Sequence, residues 1–148
     1  MGPFFFTETI NGQRYLTMLK EQVMPAIQLF PRIPELIFMQ DKAPPHWAKS
    51  VRNFLNEVFP MRWMGRGSPN HPWPPRSPDL TPMDFFYWGY LNSRVYGVSA
   101  FANLNTLRQK IVQECDEIPQ DLIRRVIEDY GHRLRQCIVC EGRSVEAR

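Results

Sequence analysis

The sequence predicts an α/β fold that closes with helices, and three observations say so. Glu35-Leu36-Ile37-Phe38-Met39 is a short apolar run with Pro31 and Pro34 upstream, the pattern of a strand buried on both faces. Other segments repeat apolar residues at three- and four-residue spacing, the period of a helix. A single acid, Asp41, follows the apolar run directly and stands ahead of Pro44 and Pro45. In open α/β sheets, sites are built outside the carboxyl ends of the strands. The stretch from Phe38 to His46 is therefore the one around which the chain is organised.

Taken in order, Pro3 to Thr9 is aromatic and β-favouring and predicts a strand. Asn11-Gly12 is a turn and the start of a helix, with Tyr15, Leu16, Leu19, Val23 and Ile27 on its apolar face. The central strand spans Leu36 to Gln40. A second helix carries Trp47, Val51, Phe54, Leu55 and Val58 and stops at Pro60. Met61 to Gly65 suits another short strand. An irregular, proline-rich loop then runs to Leu80. Thr81-Pro82-Met83-Asp84 starts a helix, with Thr at the N-cap, Pro at N1 and an acid at N3, and Gly97 ends it. Two more amphipathic helices follow. One bears Leu104, Leu107, Ile111, Cys115 and Ile118, and Pro119 breaks it; the other bears Leu122, Val126, Ile127, Tyr130 and Leu134.

Composition narrows the function classes. The 148 residues make one domain or part of one, and 43% hydrophobic residues suffice for a core. A net charge of +3 only weakly favours a polyanionic partner. No apolar run is long enough to span a membrane, and the first residues lack the basic start of a secretory signal. Three cysteines do not suggest a disulfide framework and point to a reducing compartment. Cys137-Ile138-Val139-Cys140 has zinc-like spacing, but no second pair completes four ligands, so these read as core or helix-end cysteines.

Two motifs carry a resemblance. QDKAPPH, at 40–46, followed by PPRSPDLTPMDFFYWGYL, at 74–91, resembles the second and third acidic segments of mariner-type DDE/DDD transposase catalytic domains. GPFFFTETINGQRYLTML resembles the strand and helix between that family's first and second acids. The resemblance covers nearly the whole chain. It implies a truncated RNase H-like fold that lacks its first strands, followed by C-terminal helices. It also implies a partial catalytic domain over 1–97, a helical segment of the same domain over 98–140 and a frayed tail over 141–148. The missing strands would lie between Phe4–Phe6 and Ile37–Met39, which predicts exposed edges and a marginal, aggregation-prone fragment.

The resemblance implies metal-dependent DNA strand cleavage and transfer at transposon ends, in the nucleus. Phosphodiester chemistry of this kind uses two divalent ions about 3.5–4 Å apart, and carboxylates suit Mg²⁺ or Mn²⁺. Family members use three acids. Asp41 matches the second and Asp84 the third, both as metal ligands and catalytic residues. No acid matches the first, so the chain alone is expected to be inactive. Asp41 taken alone also reads as a turn residue, and Asp84 as an acid that stabilises a helix start. Asp79 competes for the third position but is better explained by a Ser-Pro-Asp turn. The 42 residues between Asp41 and Asp84 exceed the usual mariner interval, the excess lying in Gly65–Trp73.

Lys42, His46, Arg62, Arg66 and Arg76 are the candidate DNA contacts, Arg76 first among them, because phosphate contacts dominate DNA affinity. His46 reads either as a neighbour of the metal site or as a cap of the following helix. Lys49 and Arg52 read at least as well as a solvated face. Trp73 and Trp88 are candidates to stack on a base, with Trp88 better placed in a core. DNA is the implied partner and a homodimer a possible assembly, with no small-molecule cofactor. The rival reading is a non-catalytic transposon relic or a reused nucleic-acid-binding or interaction module.

Overall fold

The computed structural model describes residues 2–74, 77–97, 101–143 and 145. The chain forms two compact units, Met1–Pro75 and Arg76–Arg148, which are described separately.

In the first unit Asn11 starts a helix as expected. Its side chain accepts a hydrogen bond of 2.9 Å from the amide of Arg14 and satisfies one of the donors that a helix start leaves over. Helix α1 (Gly12–Met18) runs through a π-helical turn (Leu19–Val23) into α2 (Met24–Gln28). Tyr15, Leu16, Leu19, Val23 and Ile27 are all buried, as their spacing predicts, and Met18 joins them. A 3₁₀ turn (Pro44–Trp47) precedes α3 (Lys49–Val58). Val51 and Leu55 of α3 are fully buried and Phe59 nearly so. With Trp63 they close the core against α1 and α2. Burying each such side chain stabilises by about 1.5–3 kcal/mol.

Three short parallel strands complete the unit in the order β1 (Phe38–Met39), β2 (Trp63–Gly65), β3 (His71–Pro72). Phe38 stands opposite Trp63 and Met39 opposite Met64. The amide of Phe38 donates to the carbonyl of Arg62, and that of Gln40 to the carbonyl of Met64, each at 2.9 Å.

Four expectations change here. Among the described residues, 3–9 pair with no strand; Phe4 and Phe6 lay their rings on the core instead. β-propensity only states that side chains suit a pleated surface, and it needs a partner strand to act. The apolar run 35–39 is not buried on both faces. Glu35 closes a 3₁₀ turn, Ile37 is 58% exposed, and Phe38 and Met39 are half-buried, because β1 is an edge strand. Trp47 lies before α3 rather than on its apolar stripe. The proline-rich loop contains β3, which pairs in parallel with β2 at Met64–His71 and Gly65–Pro72. The chain doubles back through Gly67, at φ +80°, and the buried Ser68 hydroxyl ties the turn to the Trp63 carbonyl at 2.8 Å.

The second unit is helical over its described residues. A 3₁₀ turn (Pro78–Leu80) leads to a π-helical segment (Met83–Tyr87), then α4 (Trp88–Tyr96), α5 (Leu104–Asp116) and α6 (Gln120–Val139). Thr81 opens the first of these, as expected: its hydroxyl accepts from the Met83 amide at 3.3 Å and its carbonyl from the Asp84 amide at 3.0 Å. Asn103 and Thr106 form a reciprocal capping box at the start of α5. α4 packs on α5, and α6 on the turn at Pro78–Leu80. Glu114, only 3% exposed, is held by Arg94 at 2.9 Å and Lys110 at 2.5 Å. No described helix is long and apolar enough to cross a membrane.

Candidate functional site

Asp41 leaves the end of β1, one residue past Gln40, and its side chain is 44% exposed. Its Oδ1 accepts a 3.0 Å bond from the amide of Ala43, which makes a tight turn ahead of the two prolines. The same oxygen meets His46 Nδ1 at 2.6 Å. His46 therefore does not cap α3; it turns back onto the acid. Both of these contacts fall on Oδ1.

A small network that the sequence did not announce fixes this turn. Gln40 is 5% exposed; its side-chain amide donates to the His46 carbonyl at 3.1 Å, and its Oε1 accepts from the Tyr15 hydroxyl at 3.2 Å. The Tyr15 ring lies 4.4 Å from the His46 ring. Burial, and then the charge of Asp41, push the Tyr15 phenol far above its ordinary value, so it remains a neutral donor. A Cβ on Gly65 would stand 2.9 Å from Gln40 Cγ, so β2 packs directly against Gln40. The one sequence signal for Gln40 was its position, a polar residue closing an apolar strand. Tyr15 was legible only as a core residue.

The candidate DNA contacts separate into distinct environments. Lys42 is exposed. Arg62 donates to the Leu36 carbonyl at 3.1 Å and lies over the Phe59 ring, so part of its capacity is spent tying β2 to the segment before β1. Arg66 is exposed, its guanidinium 4.3 Å from the centre of the Trp47 ring. Arg76 lies outside the described residues. Trp73 is 9% exposed and Trp88 53% exposed, the reverse of the expectation. Trp73 follows β3 directly and its amide donates to the Gly65 carbonyl, which draws it inward. Trp88 sits with Leu91, Val95 and Ile111 around an open groove of about 540 Å³ between α4 and α5.

In the second unit Asp84 sits inside the π-helical segment and is exposed. Segments of this kind recur at functional sites. Asp79 is different. It is 3% exposed, its Oδ2 accepts the Val145 amide at 2.8 Å, and its carbonyl accepts from Arg133 at 3.3 Å. Arg133 in turn covers the Phe85 ring at 4.2 Å and pairs with Asp129 at 2.7 Å. Asp79 thus ties Val145 to this unit. Cys137 and Cys140 are free thiols at the end of α6.

A carboxylate suits a hard divalent ion. Among the described residues, however, no three His, Cys, Asp or Glu side chains gather where they could hold one. Asp41 fits one ligand's share of a divalent centre, and the described residues do not complete it.

No family model matches the chain. It is 25% identical over 144 residues to the Tc3 transposase of Caenorhabditis elegans, an alignment that covers 95% of this chain and 40% of that protein. The catalytic domain of Mos1 transposase, solved with raltegravir and Mg, superposes with a TM-score of 0.77 at 22% identity over 95% of this chain and 67% of that one. The same domain with Mn gives 0.77 at 23% identity, over 95% and 68%. The chain has the fold of the Mos1 mariner transposase catalytic domain. A Mos1 paired-end complex with the left transposon end matches at 0.74 and 24% identity, over 94% of this chain and 38% of that chain. The chain is homologous to the Tc3 transposase but spans only two-fifths of its length. The RNase H-like expectation therefore holds, and so does the mariner-type resemblance.

Proposed function

We propose that this chain is part of the catalytic domain of a DNA transposase, one that cuts and transfers DNA strands at transposon ends. Asp41 and Asp84 supply two of the carboxylate ligands in this reading, and Lys42, His46, Arg62, Arg66 and Arg76 contact DNA. The observation that carries it is the position of Asp41, at the carboxyl end of a parallel strand in the fold of a domain whose solved structures hold Mg or Mn.

The surroundings support the role. The Ala43 amide and His46 both hold Asp41 Oδ1, and the side chain remains 44% exposed. The choice of Asp84 over Asp79 rests on exposure. Asp79 is buried under the Val145 amide, whereas Asp84 reaches the surface. A bound divalent ion would supply charge stabilisation at the phosphodiester. Two carboxylates under-coordinate such an ion, so these 148 residues alone are expected to bind Mn²⁺ weakly and cleave no DNA. A nuclear location goes with that reading.

Iron-mediated backbone cleavage tests it. Fe²⁺ and ascorbate, added to the folded chain, should cut preferentially beside Asp41, Mn²⁺ should suppress the cut, and Asp41→Asn should abolish it. Uniform cutting, or a pattern unchanged in Asp41→Asn, would sink the metal role and leave the binding-module reading ahead.

A further inference from the structure

We infer that Trp47, Arg52 and Arg66 form a preorganised grip for the phosphate backbone of DNA, beside the carboxyl end of the sheet from which Asp41 leaves. The inference rests on the DNA reading above and names a surface within it. Three observations meet here.

The first is geometry. The guanidinium carbons of Arg52 and Arg66 lie 4.1 and 4.3 Å from the centre of the Trp47 ring. Arg52 Nε also donates to the Trp47 carbonyl at 3.2 Å, which fixes that side chain further and leaves its terminal nitrogens to other partners. A stacked guanidinium keeps its N–H edge free, and that planar edge suits phosphate oxygens. Neither arginine forms an ion pair among the described residues, although several acids elsewhere in the chain are paired.

The second is charge. Residues 1–75 carry eight Lys or Arg against five Asp or Glu, whereas 76–148 carry ten against ten. The whole excess of positive charge therefore belongs to the first unit. Within it, 42–67 holds Lys42, Lys49, Arg52, Arg62 and Arg66 against Glu57 alone. Such a local field attracts a polyanion more than the modest net charge suggests.

The third is position. β1 and β2 are parallel, with Met39 level with Met64. Asp41 and Arg66 each stand two residues past that pair, Asp41 beyond the end of β1 and Arg66 beyond the end of β2. A backbone held by the grip would run past the strand ends where Asp41 emerges. Two guanidinium groups lie against the indole, so Trp47 serves to brace the cations rather than to stack on a base. Gly67 makes the arrangement fit. A Cβ there would stand 2.4 Å from Trp47 Cζ3 and 2.9 Å from Arg52 Cδ, and its φ of +80° disfavours any side chain.

The test is a salt titration of duplex DNA binding by the purified chain, read by fluorescence anisotropy on a mixed-sequence duplex. Arg52→Gln with Arg66→Gln should weaken binding at least about tenfold and flatten the log–log salt slope by about 1.8, since each lost phosphate contact removes about 0.9. The exposed Arg66→Gln alone should flatten it by about half as much, with an unchanged thermal transition. Trp47→Leu keeps both charges, so affinity should fall several-fold with the slope unchanged. Arg124→Gln with Arg125→Gln, on α6, should change neither. If the wild-type chain binds no duplex, the DNA reading fails and the grip with it. If it binds and the double arginine variant binds equally well, only the grip fails. Tighter binding to a duplex RNA of the same sequence would overturn DNA as the occupant.

Discussion

Gln40 joins the core to the turn that carries Asp41, and cutting it out is the most informative perturbation of the first unit. Its side chain accepts from the Tyr15 hydroxyl and donates to the His46 carbonyl, at 3.2 and 3.1 Å, while only 5% exposed. Gln40→Leu keeps much of the volume and removes both bonds. It leaves the Tyr15 hydroxyl, on a residue 9% exposed, and the His46 carbonyl short of a partner. Each buried unsatisfied group costs about 1–3 kcal/mol, so the variant should lose about 2–6 kcal/mol. Tyr15→Phe leaves one buried acceptor, Gln40 Oε1, without its donor and should lose about 1–3 kcal/mol. In the double variant the Tyr15 hydroxyl is no longer there to be stranded. Gln40 Oε1 is gone as well, so the double variant should be more stable than the sum of the single losses predicts, by at least about 2 kcal/mol. Urea unfolding followed by tryptophan fluorescence measures this, since Trp63 is buried in the same core. A midpoint for Gln40→Leu within error of wild type, or strict additivity in the cycle, would refute the argument that this network holds the turn.

Other outcomes follow from the same reasoning. Leu55→Ala, at a fully buried position in α3, should cost about 2–5 kcal/mol by urea denaturation, whereas Leu29→Ala, 85% exposed, should be nearly neutral. Gly67→Ala should displace Trp47 and weaken DNA binding in the anisotropy assay, through a clash rather than a lost charge. Lys110 and then Arg94 hold the Glu114 carboxyl below its ordinary value of 4.5. A depressed folded value stabilises above the unfolded value, and the gain fades as pH falls through the folded one. Glu114→Gln should accordingly lower the thermal midpoint at pH 7, and the difference should shrink as pH drops below 4.5. A difference independent of pH would mean that packing, not charge, holds this residue.

Much of the architecture was legible from local pattern. The helix stripe from Tyr15 to Ile27, the Asn11 cap, the Thr81 start and the place of Asp41 after a strand all depend on residues within a few positions of one another, and their periods and turn chemistry are written in the chain. The depth of β1 was not legible. An apolar pentapeptide reads the same on an edge as in the centre of a sheet, and only the strand order showed that Ile37 faces outward. The strand within the proline-rich loop was hidden for a related reason, since its pairing partner, and not its composition, makes it a strand.

The candidate site divides along the same line. The sequence alone singled out Asp41 and Asp84 as the motif acids and the cations near them in the chain, because those motifs are local. It also determined the charge excess of the first 75 residues. Only the tertiary structure decided that His46 turns back onto Asp41 and that Tyr15, 25 positions from Gln40, bonds to it. It likewise decided that Asp79 is buried beneath a backbone amide 66 positions further on, and that Arg52 and Arg66 share one indole. These are contacts between segments far apart in sequence, and no local spacing encodes which side chain will be nearest once the core has closed.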